Sequence, residues 1–111
     1  MPKDKRDKIQ VALNFMAENY YTNITNDSLA ALTPFSTVYF RKLFTEMTGL
    51  SPMVYLRTIR INKAKQMLKS DYGSISDIAV SLGYSNIYEF SRTFKKHTGL
   101  SPTEYLKSNV L

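Results

Sequence analysis

Two stretches of the sequence, fifty residues apart, carry side chains suited to binding another molecule. Each has the apolar spacing of a helix with a buried row, which contains Phe40 and Phe44 in the first and Phe90 and Phe94 in the second. Removing the buried rows leaves two exposed sets: Thr37, Val38, Arg41, Lys42 and Thr45, then Ile87, Tyr88, Ser91, Arg92 and Lys95. Arginine and lysine can donate to guanine O6 and N7, and small apolar or hydroxyl groups can contact a thymine methyl. These residues therefore indicate recognition of base edges in a DNA groove.

An ordinary solvated surface is the alternative interpretation, because basic residues are common near the C-terminal ends of helices. Both exposed sets, however, place a cation one helical turn after a small apolar or hydroxyl group, and this repetition favours a binding role. The second hypothesis is a helical module that docks on acidic protein surfaces. Such a module needs an exposed apolar groove, whereas the apolar residues here are used in helix-period cores.

Catalytic and metal-binding chemistry has few candidate residues. His97 is the only histidine, and the chain has no cysteine, so no second ligand stands at the spacing that a zinc or iron site needs. The nine carboxylates are scattered or lie at predicted helix starts, where capping and dipole effects explain them. Neither a glycine-rich phosphate loop nor a nucleophile elbow occurs. The sequence therefore predicts neither an enzyme nor a cofactor.

The charge balance indicates an anionic partner. Fifteen basic and nine acidic residues give a net charge of +6, which suits nucleic acid or an anionic membrane surface. Membrane-surface binding needs one strongly amphipathic basic helix, and the connecting helix fits poorly because its apolar residues lie on two sides. No apolar run approaches the roughly 18 residues that span a bilayer, and no secretory signal follows Met1. We therefore expect a cytoplasmic protein without a membrane partner.

The elements that position the exposed residues follow from a duplication. Thr48–Leu56 is T-G-L-S-P-M-V-Y-L and Thr98–Leu106 is T-G-L-S-P-T-E-Y-L, identical at seven of nine positions. In each copy we expect the glycine to end a helix and Ser-Pro to begin the next. The tyrosine and leucine should pack against the preceding unit. The duplication predicts two similar small units rather than a solenoid.

Helix-start and helix-stop signals predict an all-α fold. The first helix should start at Ile9, behind a frayed Lys3–Lys8 segment. A short second helix, capped near Thr25, should bury three apolar residues, Leu29, Ala30 and Leu32. Pro34 ends it, and Ser36 caps a longer helix. A short helix, a tight turn and a longer helix form a helix-turn-helix.

A second helix-turn-helix is predicted in the C-terminal half. Capping signatures open a helix at each of three places: Ser74 to Asp77, Asn86 to Glu89 and Ser101 to Glu104. This gives seven helices and no strand. Within residues 1–111 we place a first helix-turn-helix subdomain at 9–50, a connecting helix at 51–69 and a second subdomain at 70–108. The connecting helix directs Tyr55, Leu56 and Ile59 to one side, and Ile61, Ala64 and Leu68 roughly to the other.

One spaced pattern runs from the connecting helix to the last helix: Arg60-x-x-x-Ala64-x-x-x-Leu68, Ile78-Ala79-x-x-x-Gly83-Tyr84, and Phe90-Ser91-Arg92-x-Phe94-Lys95-Lys96-x-x-Gly99-x-Ser101-Pro102-x-x-Tyr105. It resembles the signature of the AraC/XylS transcription regulators, over their C-terminal DNA-binding domain and from about Ile9 to Lys107 here. The resemblance implies seven helices, two helix-turn-helix motifs and a rigid connecting helix. It also implies that one molecule reads two adjacent major-groove segments of double-stranded DNA, about 34 Å apart.

Together with the exposed faces, the resemblance implies a set of site residues. The base-reading set is Thr37, Val38, Arg41, Lys42, Ile87, Tyr88, Ser91 and Arg92. Phosphate contacts are expected from caps and nearby residues, namely Ser36, Thr45, Lys63, Asn86, Lys95 and Lys96. Pro34-Phe35 departs from the family, which usually has glycine and a smaller apolar residue in that turn. Ile87 and Tyr88 offer few hydrogen-bonding groups, so binding to the backbone alone is an alternative for the second helix.

Many members of the family carry an N-terminal ligand-binding, dimerisation or receiver domain, and no such domain precedes the first predicted helix. The chain is either a short stand-alone regulator or, as we expect, a fragment of a longer one that lacks its effector or dimerisation domain. Double-stranded DNA is the expected partner, and RNA polymerase is a further partner left open. The expected location is the cytoplasm, at the nucleoid.

Overall fold

The computed structural model describes residues 1–70 and 73–108. Within those ranges the chain forms seven α-helices and no strand: α1 (Lys3–Asn19), α2 (Asn26–Ala30), α3 (Thr37–Thr48), α4 (Pro52–Lys69), α5 (Ile75–Ser81), α6 (Ile87–Thr98) and α7 (Pro102–Ser108). The predicted all-α class and the order of the helices are confirmed. None of these helices is long and apolar enough to cross a membrane.

The chain divides into two compact units, Met1–Ile59 and Arg60–Leu111. The division falls inside α4, so the first half of this helix belongs to one unit and the second half to the other. Each unit contains a short helix, a turn and a longer helix, which are α2 and α3 in the first unit and α5 and α6 in the second.

In the first unit, two phenylalanines one helical turn apart anchor α3. Phe40 and Phe44 are fully buried, and their ring centroids are 5.7 Å apart. They share one apolar cluster with residues of α1, α2 and α4, among them Ile9, Met16, Leu29 and Leu56. Burying one large apolar side chain contributes roughly 1.5–3 kcal/mol. This row therefore determines which face of α3 remains exposed.

The second unit repeats the arrangement with Phe90 and Phe94, which are fully buried and also 5.7 Å apart. Its buried set includes residues of α5 and of the second half of α4, namely Ile78, Ala79, Ile61, Ala64 and Leu68. Leu56, from the first half of α4, is buried in the first unit. The predicted change of apolar face along α4 is therefore confirmed.

The duplicated segment forms the same junction at the end of both longer helices. Gly49 and Gly99 take the left-handed conformation, with φ of 81° and 84°. Each glycine N–H donates to the carbonyl four residues earlier at 2.8 Å. The hydroxyls of Thr48 and Thr98 lie within hydrogen-bond distance of carbonyl oxygens on both sides of the glycine. The proline that starts the next helix is fully buried in both copies, so the glycine stop and Ser-Pro start are confirmed.

The repeated tyrosine packs alike in both units, whereas the repeated leucine does not. Tyr55 meets Phe44 edge to face with ring centroids 5.4 Å apart, and Tyr105 meets Phe94 in the same way at 5.4 Å. Leu106, however, is 39% exposed, so the expectation that it packs inward is wrong. Leu106 lies about 100° further round α7 than Tyr105, on a side that is left exposed in the second unit, whereas Leu56 at the same position of the first unit joins its apolar cluster.

Two other expectations are also wrong. The Lys3–Lys8 segment is not frayed, because α1 begins at Lys3 and an ion pair joins Lys8 to Asp4 at 3.0 Å in its first turns. Leu32 is 41% exposed rather than buried. The helix α2 ends at Ala30 and the chain turns there, so the helical spacing that placed Leu32 inside no longer applies.

Replacing Phe94 with alanine should lower the free energy of unfolding by ~3–5 kcal/mol, because it leaves a cavity beneath α6. Denaturant unfolding followed by circular dichroism measures the change. Val80→Ala is the matched control, since Val80 is 70% exposed on α5 of the same unit and should change stability by less than ~0.5 kcal/mol. A Phe94→Ala variant that unfolds like the parent would contradict the buried row.

Gly49→Ala and Gly99→Ala should destabilise the chain by similar amounts. An added Cβ would meet nothing within 4 Å at either glycine, so the cost comes from the left-handed backbone and should be ~1–2 kcal/mol. The same unfolding measurement applies. Clearly unequal losses would show that the two junctions are not energetically equivalent.

Candidate nucleic-acid interface

The first candidate surface lies on α3 and begins at its N-terminal cap. The Ser36 hydroxyl accepts a hydrogen bond from the N–H of Tyr39 at 3.2 Å, which starts the helix as predicted. Val38 is 80% exposed, and Arg41, Lys42 and Thr45 are exposed as well. Within residues 1–70 and 73–108, the charged groups of Arg41 and Lys42 have no hydrogen bond, ion pair or ring contact. Two unpaired cations thus share one helix face with an apolar side chain.

Thr37 belongs to the start of this face, but its hydroxyl is already engaged. The residue is half-buried, and its hydroxyl donates to Oδ1 of Asp27 at 2.7 Å. Asp27 lies in the first turn of α2. The bond ties the beginning of α3 to α2, and it leaves the methyl group of Thr37, rather than its hydroxyl proton, for an external contact.

The second candidate surface lies on α6. The Asn86 side chain accepts a hydrogen bond from the N–H of Glu89 at 2.9 Å, as the capping signature predicts. Tyr88 is 76% exposed and Arg92 is exposed. The Arg92 guanidinium has no partner in the part of the chain that the structure describes. Ile87 and Ser91 are half-buried, so they border the exposed face.

Basic residues collect at the C-terminal end of α6, where Lys95, Lys96 and His97 occupy the last turn. The helix dipole is negative at this end and favours cations there. The Lys95 ammonium lies 3.9 Å from the Glu104 carboxylate. Hydrogen bonds from the backbone and side chain of Ser101 lower the pKa of Glu104, and the charge of Lys95 lowers it further. Lys96 is exposed, whereas the predicted phosphate ligand on α4, Lys63, is half-buried.

The turns that lead into α3 and α6 are built differently. The second turn contains Gly83 at φ 91°, a conformation that strains residues with a Cβ. In the first turn, the Thr33 hydroxyl lies 2.7 Å from the carbonyl oxygen of Ala30 and accepts from the N–H of Phe35 at 3.2 Å. Side-chain hydrogen bonds therefore close the first turn without a glycine. Thr33 stands fifty residues before Gly83, in the turn where Pro34-Phe35 departs from the family pattern.

The sequence does not predict two cation contacts that flank these surfaces. The Lys5 ammonium of α1 donates to the Tyr39 hydroxyl at 2.6 Å and lies 5.3 Å from the centre of its ring. In the second unit, Arg60 of α4 lies 5.6 Å from the ring centre of Tyr84, in the turn before α6. Burial lowers the pKa of Arg60, and its electrostatic interactions with Tyr84 and Glu89 oppose that shift. Each contact joins residues that are far apart in the sequence. The sequence shows a basic residue and an aromatic one but does not indicate that they meet.

The chain matches the family model described as a helix-turn-helix domain over residues 29–108. It is 33% identical over 102 residues to the raffinose operon transcriptional regulatory protein RafR of Pediococcus pentosaceus, covering 92% of this chain and 37% of that protein. Its identity to the lactose operon transcription activator of Staphylococcus xylosus is 36% over 99 residues, which cover 89% of this chain and 36% of that protein. The chain thus spans little more than a third of the length of these curated relatives.

A solved structure with the same fold is the transcriptional regulator from Chromobacterium violaceum described among AraC-type DNA-binding domain-containing proteins. The TM-score is 0.84 at 26% identity, and the match covers 98% of this chain and 97% of that one. The family model covers most of the chain, and the spaced pattern from Arg60 to Tyr105 runs from α4 to α7, with Gly83 and Gly99 in the turns between helices. The chain belongs to the AraC/XylS family of helix-turn-helix domains.

Proposed function

We propose that the chain is the sequence-specific, double-stranded-DNA-binding domain of a transcription regulator. The main supporting observation is that each unit presents a capped helix whose cations have no partner among the described residues. These cations lie beside an exposed side chain, Arg41 and Lys42 beside Val38, and Arg92 beside Tyr88. Cations that a folded chain of net charge +6 leaves without partners favour an anionic ligand. The family and the two operon regulators among its relatives support the same role.

In the first unit, α3 enters the major groove by its N-terminal half. There Arg41 donates two parallel hydrogen bonds to guanine O6 and N7, and Lys42 donates to a neighbouring acceptor. Val38 contacts a thymine methyl, and Thr37 contributes its methyl group because its hydroxyl is bound to Asp27. This unit therefore reads bases through both hydrogen bonds and apolar contacts.

In the second unit, α6 has fewer groups that can read bases. Arg92 is its donor to guanine, Tyr88 offers a ring and a hydroxyl, and Ile87 and Ser91 contact the groove from the border of the face. The basic end of the helix favours the DNA backbone. We therefore assign this unit a larger share of phosphate contacts, made by Lys95 and Lys96, while the remaining phosphate ligands are Ser36, Thr45, Lys63 and Asn86.

Residues 9–50 and 70–108 act as two reading subdomains in this proposal, joined by the connecting helix 51–69, and each reads its own segment of one duplex. The curated relatives extend well beyond the matched segment. We propose that an effector-binding or dimerisation domain belongs to the whole regulator, that RNA polymerase is a further partner, and that the protein acts in the cytoplasm at the nucleoid.

Selection of bound duplexes from random DNA, followed by gel-shift titration over a salt series, tests the proposal. The selection should enrich a site with two conserved segments, and the logarithm of the association constant should fall linearly with that of the salt concentration. Absence of binding in low salt, or binding that salt does not weaken, would contradict the proposal. If the selection enriches no sequence, the domain contacts only the DNA backbone and the proposed sequence specificity is wrong.

Arg41→Ala and Arg92→Ala should each weaken binding to the selected duplex by ~1–3 kcal/mol, if the guanidinium forms two bonds to a guanine. Binding to a scrambled duplex should change much less. Arg41→Lys and Arg92→Lys are the matched controls, because lysine keeps the charge but lacks the planar fork that binds a base edge. Equal losses on both duplexes, with full recovery by lysine, would identify the arginines as phosphate ligands instead.

A further inference from the structure

Lys5 and Tyr39 form a contact at the edge of the α3 surface, and neither residue is among the DNA ligands proposed above. The Lys5 ammonium donates to the Tyr39 hydroxyl at 2.6 Å, across 34 residues of sequence, and lies 5.3 Å from the centre of the ring. The ring is held from another side by Phe35, edge to face at 5.3 Å. Both partners are half-buried, so the pair is fixed in place and still reaches solvent.

The chemistry of this pair leaves two hydrogen-bond donors available. A phenol that accepts from an ammonium still has its own proton to donate, and no acceptor for that proton occurs among the residues that the structure describes. The ammonium has three N–H groups and uses one of them on Tyr39. A lysine ammonium is charged at neutral pH, and the hydrogen bond to Tyr39 raises the pKa of Lys5 further. A charged donor and a phenol donor side by side match the oxygens of a phosphate.

The position of Tyr39 on α3 indicates which phosphate the pair would meet. Tyr39 follows Val38 directly and so lies about 100° around the helix from it, between the exposed face and the buried row. When a recognition helix enters the major groove, its exposed face meets the bases and its flanks meet the walls of the groove, where the phosphates lie. The pair therefore stands at a flank.

We propose that Lys5 and Tyr39 together bind one backbone phosphate of the duplex at the edge of the segment that α3 reads, an inference that rests on the proposed DNA binding. The phenol donates to one phosphate oxygen and the ammonium supplies the opposite charge. This gives the N-terminal helix α1 a direct part in binding, in addition to its place in the core.

The second unit does not repeat this pair. The residue fifty positions after Tyr39 is Glu89, whose ionised carboxylate only accepts hydrogen bonds and repels phosphate. The negative charge of Glu89 favours the cationic form of Arg60 and so opposes the lowering of its pKa by burial. The first unit also contains a carboxylate that attracts the Lys5 ammonium, since Glu46 raises the pKa of Lys5, although less than Tyr39 does. The alternative is therefore that Lys5 only holds α1 against α3.

Two variants separate these possibilities in the intact chain. Tyr39→Phe keeps the ring and its packing but removes the donor, and Lys5→Gln removes the charge. Each should weaken binding to the selected duplex roughly tenfold, and Lys5→Gln should also lower the slope of the salt dependence by about one. The double variant should bind about as weakly as the weaker single variant, since both residues serve one phosphate. Lys8→Gln is the matched control, because it removes the same charge from α1 at a residue already paired with Asp4.

A change on the DNA side identifies the phosphate. Single methylphosphonate substitutions, which remove the charge of one phosphate, are placed in turn along the selected duplex. For the parent chain, one position at the edge of the first segment should weaken binding in a way that both Lys5→Gln and Tyr39→Phe abolish. Lys8→Gln should leave that position as sensitive as it is in the parent.

Failure of the phosphate contact and failure of DNA binding itself give different results in these experiments. If Lys5→Gln and Tyr39→Phe bind with the salt slope and methylphosphonate pattern of the parent, and only melt at lower temperature, the pair holds α1 against α3 and the inference is wrong, while DNA binding stands. A slope reduced equally by Lys8→Gln would also overturn it, since net charge would then explain the effect. If the parent chain binds no duplex, the proposed function itself fails.

Discussion

Each half of this chain depends on one constraint, which is that a helix used for binding must be anchored entirely from its other side. Two fully buried phenylalanines one turn apart meet that constraint in α3, and two more meet it in α6. A tyrosine from the following helix closes over the second ring of each pair at 5.4 Å. Aromatic side chains suit this task because each buries a large area from a single position. The opposite faces of both helices, which carry Val38 and Tyr88, are thereby left out of the core.

The two units share these buried aromatic residues and the junction that follows them, and they differ in their turns and at the flanks of the exposed helix faces. Their junctions agree in the φ of the glycine, in the hydrogen bonds of the threonine and in the burial of the proline. The turns do not agree, because hydrogen bonds of Thr33 close the first and the left-handed Gly83 closes the second. The flanks also differ, with Tyr39 at a position where the other unit has Glu89. Two like frames thus carry two unlike surfaces, as expected if they read different DNA segments.

Much of the fold could be predicted from the sequence because its signals are local. Ser36, Ser74 and Asn86 each bond a backbone N–H three residues away, and that spacing is visible in the sequence itself. The failures arose where a boundary or a distant contact decides the outcome. Leu32 follows the helical spacing, but its helix ends two residues earlier. The Lys5 contact with Tyr39 joins residues 34 positions apart, and no helix signal reports it. The faces of α3 and α6 could be predicted, whereas the engagement of Thr37 by Asp27 could not.

Arg41, Lys42 and Arg92 have no partner for their charged groups among residues 1–70 and 73–108, which affects how this protein can evolve. Since no folded-state contact of their charged groups is lost when they are replaced, substitutions there leave the core and the caps intact. If these residues read bases, as proposed, a lineage can move from one operator to another through single substitutions without an unstable intermediate. The same separation makes these positions suitable for randomised libraries, in which nearly every member should fold and differ chiefly in the DNA that it selects. Such changes do not destabilise the fold because the buried aromatic residues anchor both helices from the opposite face.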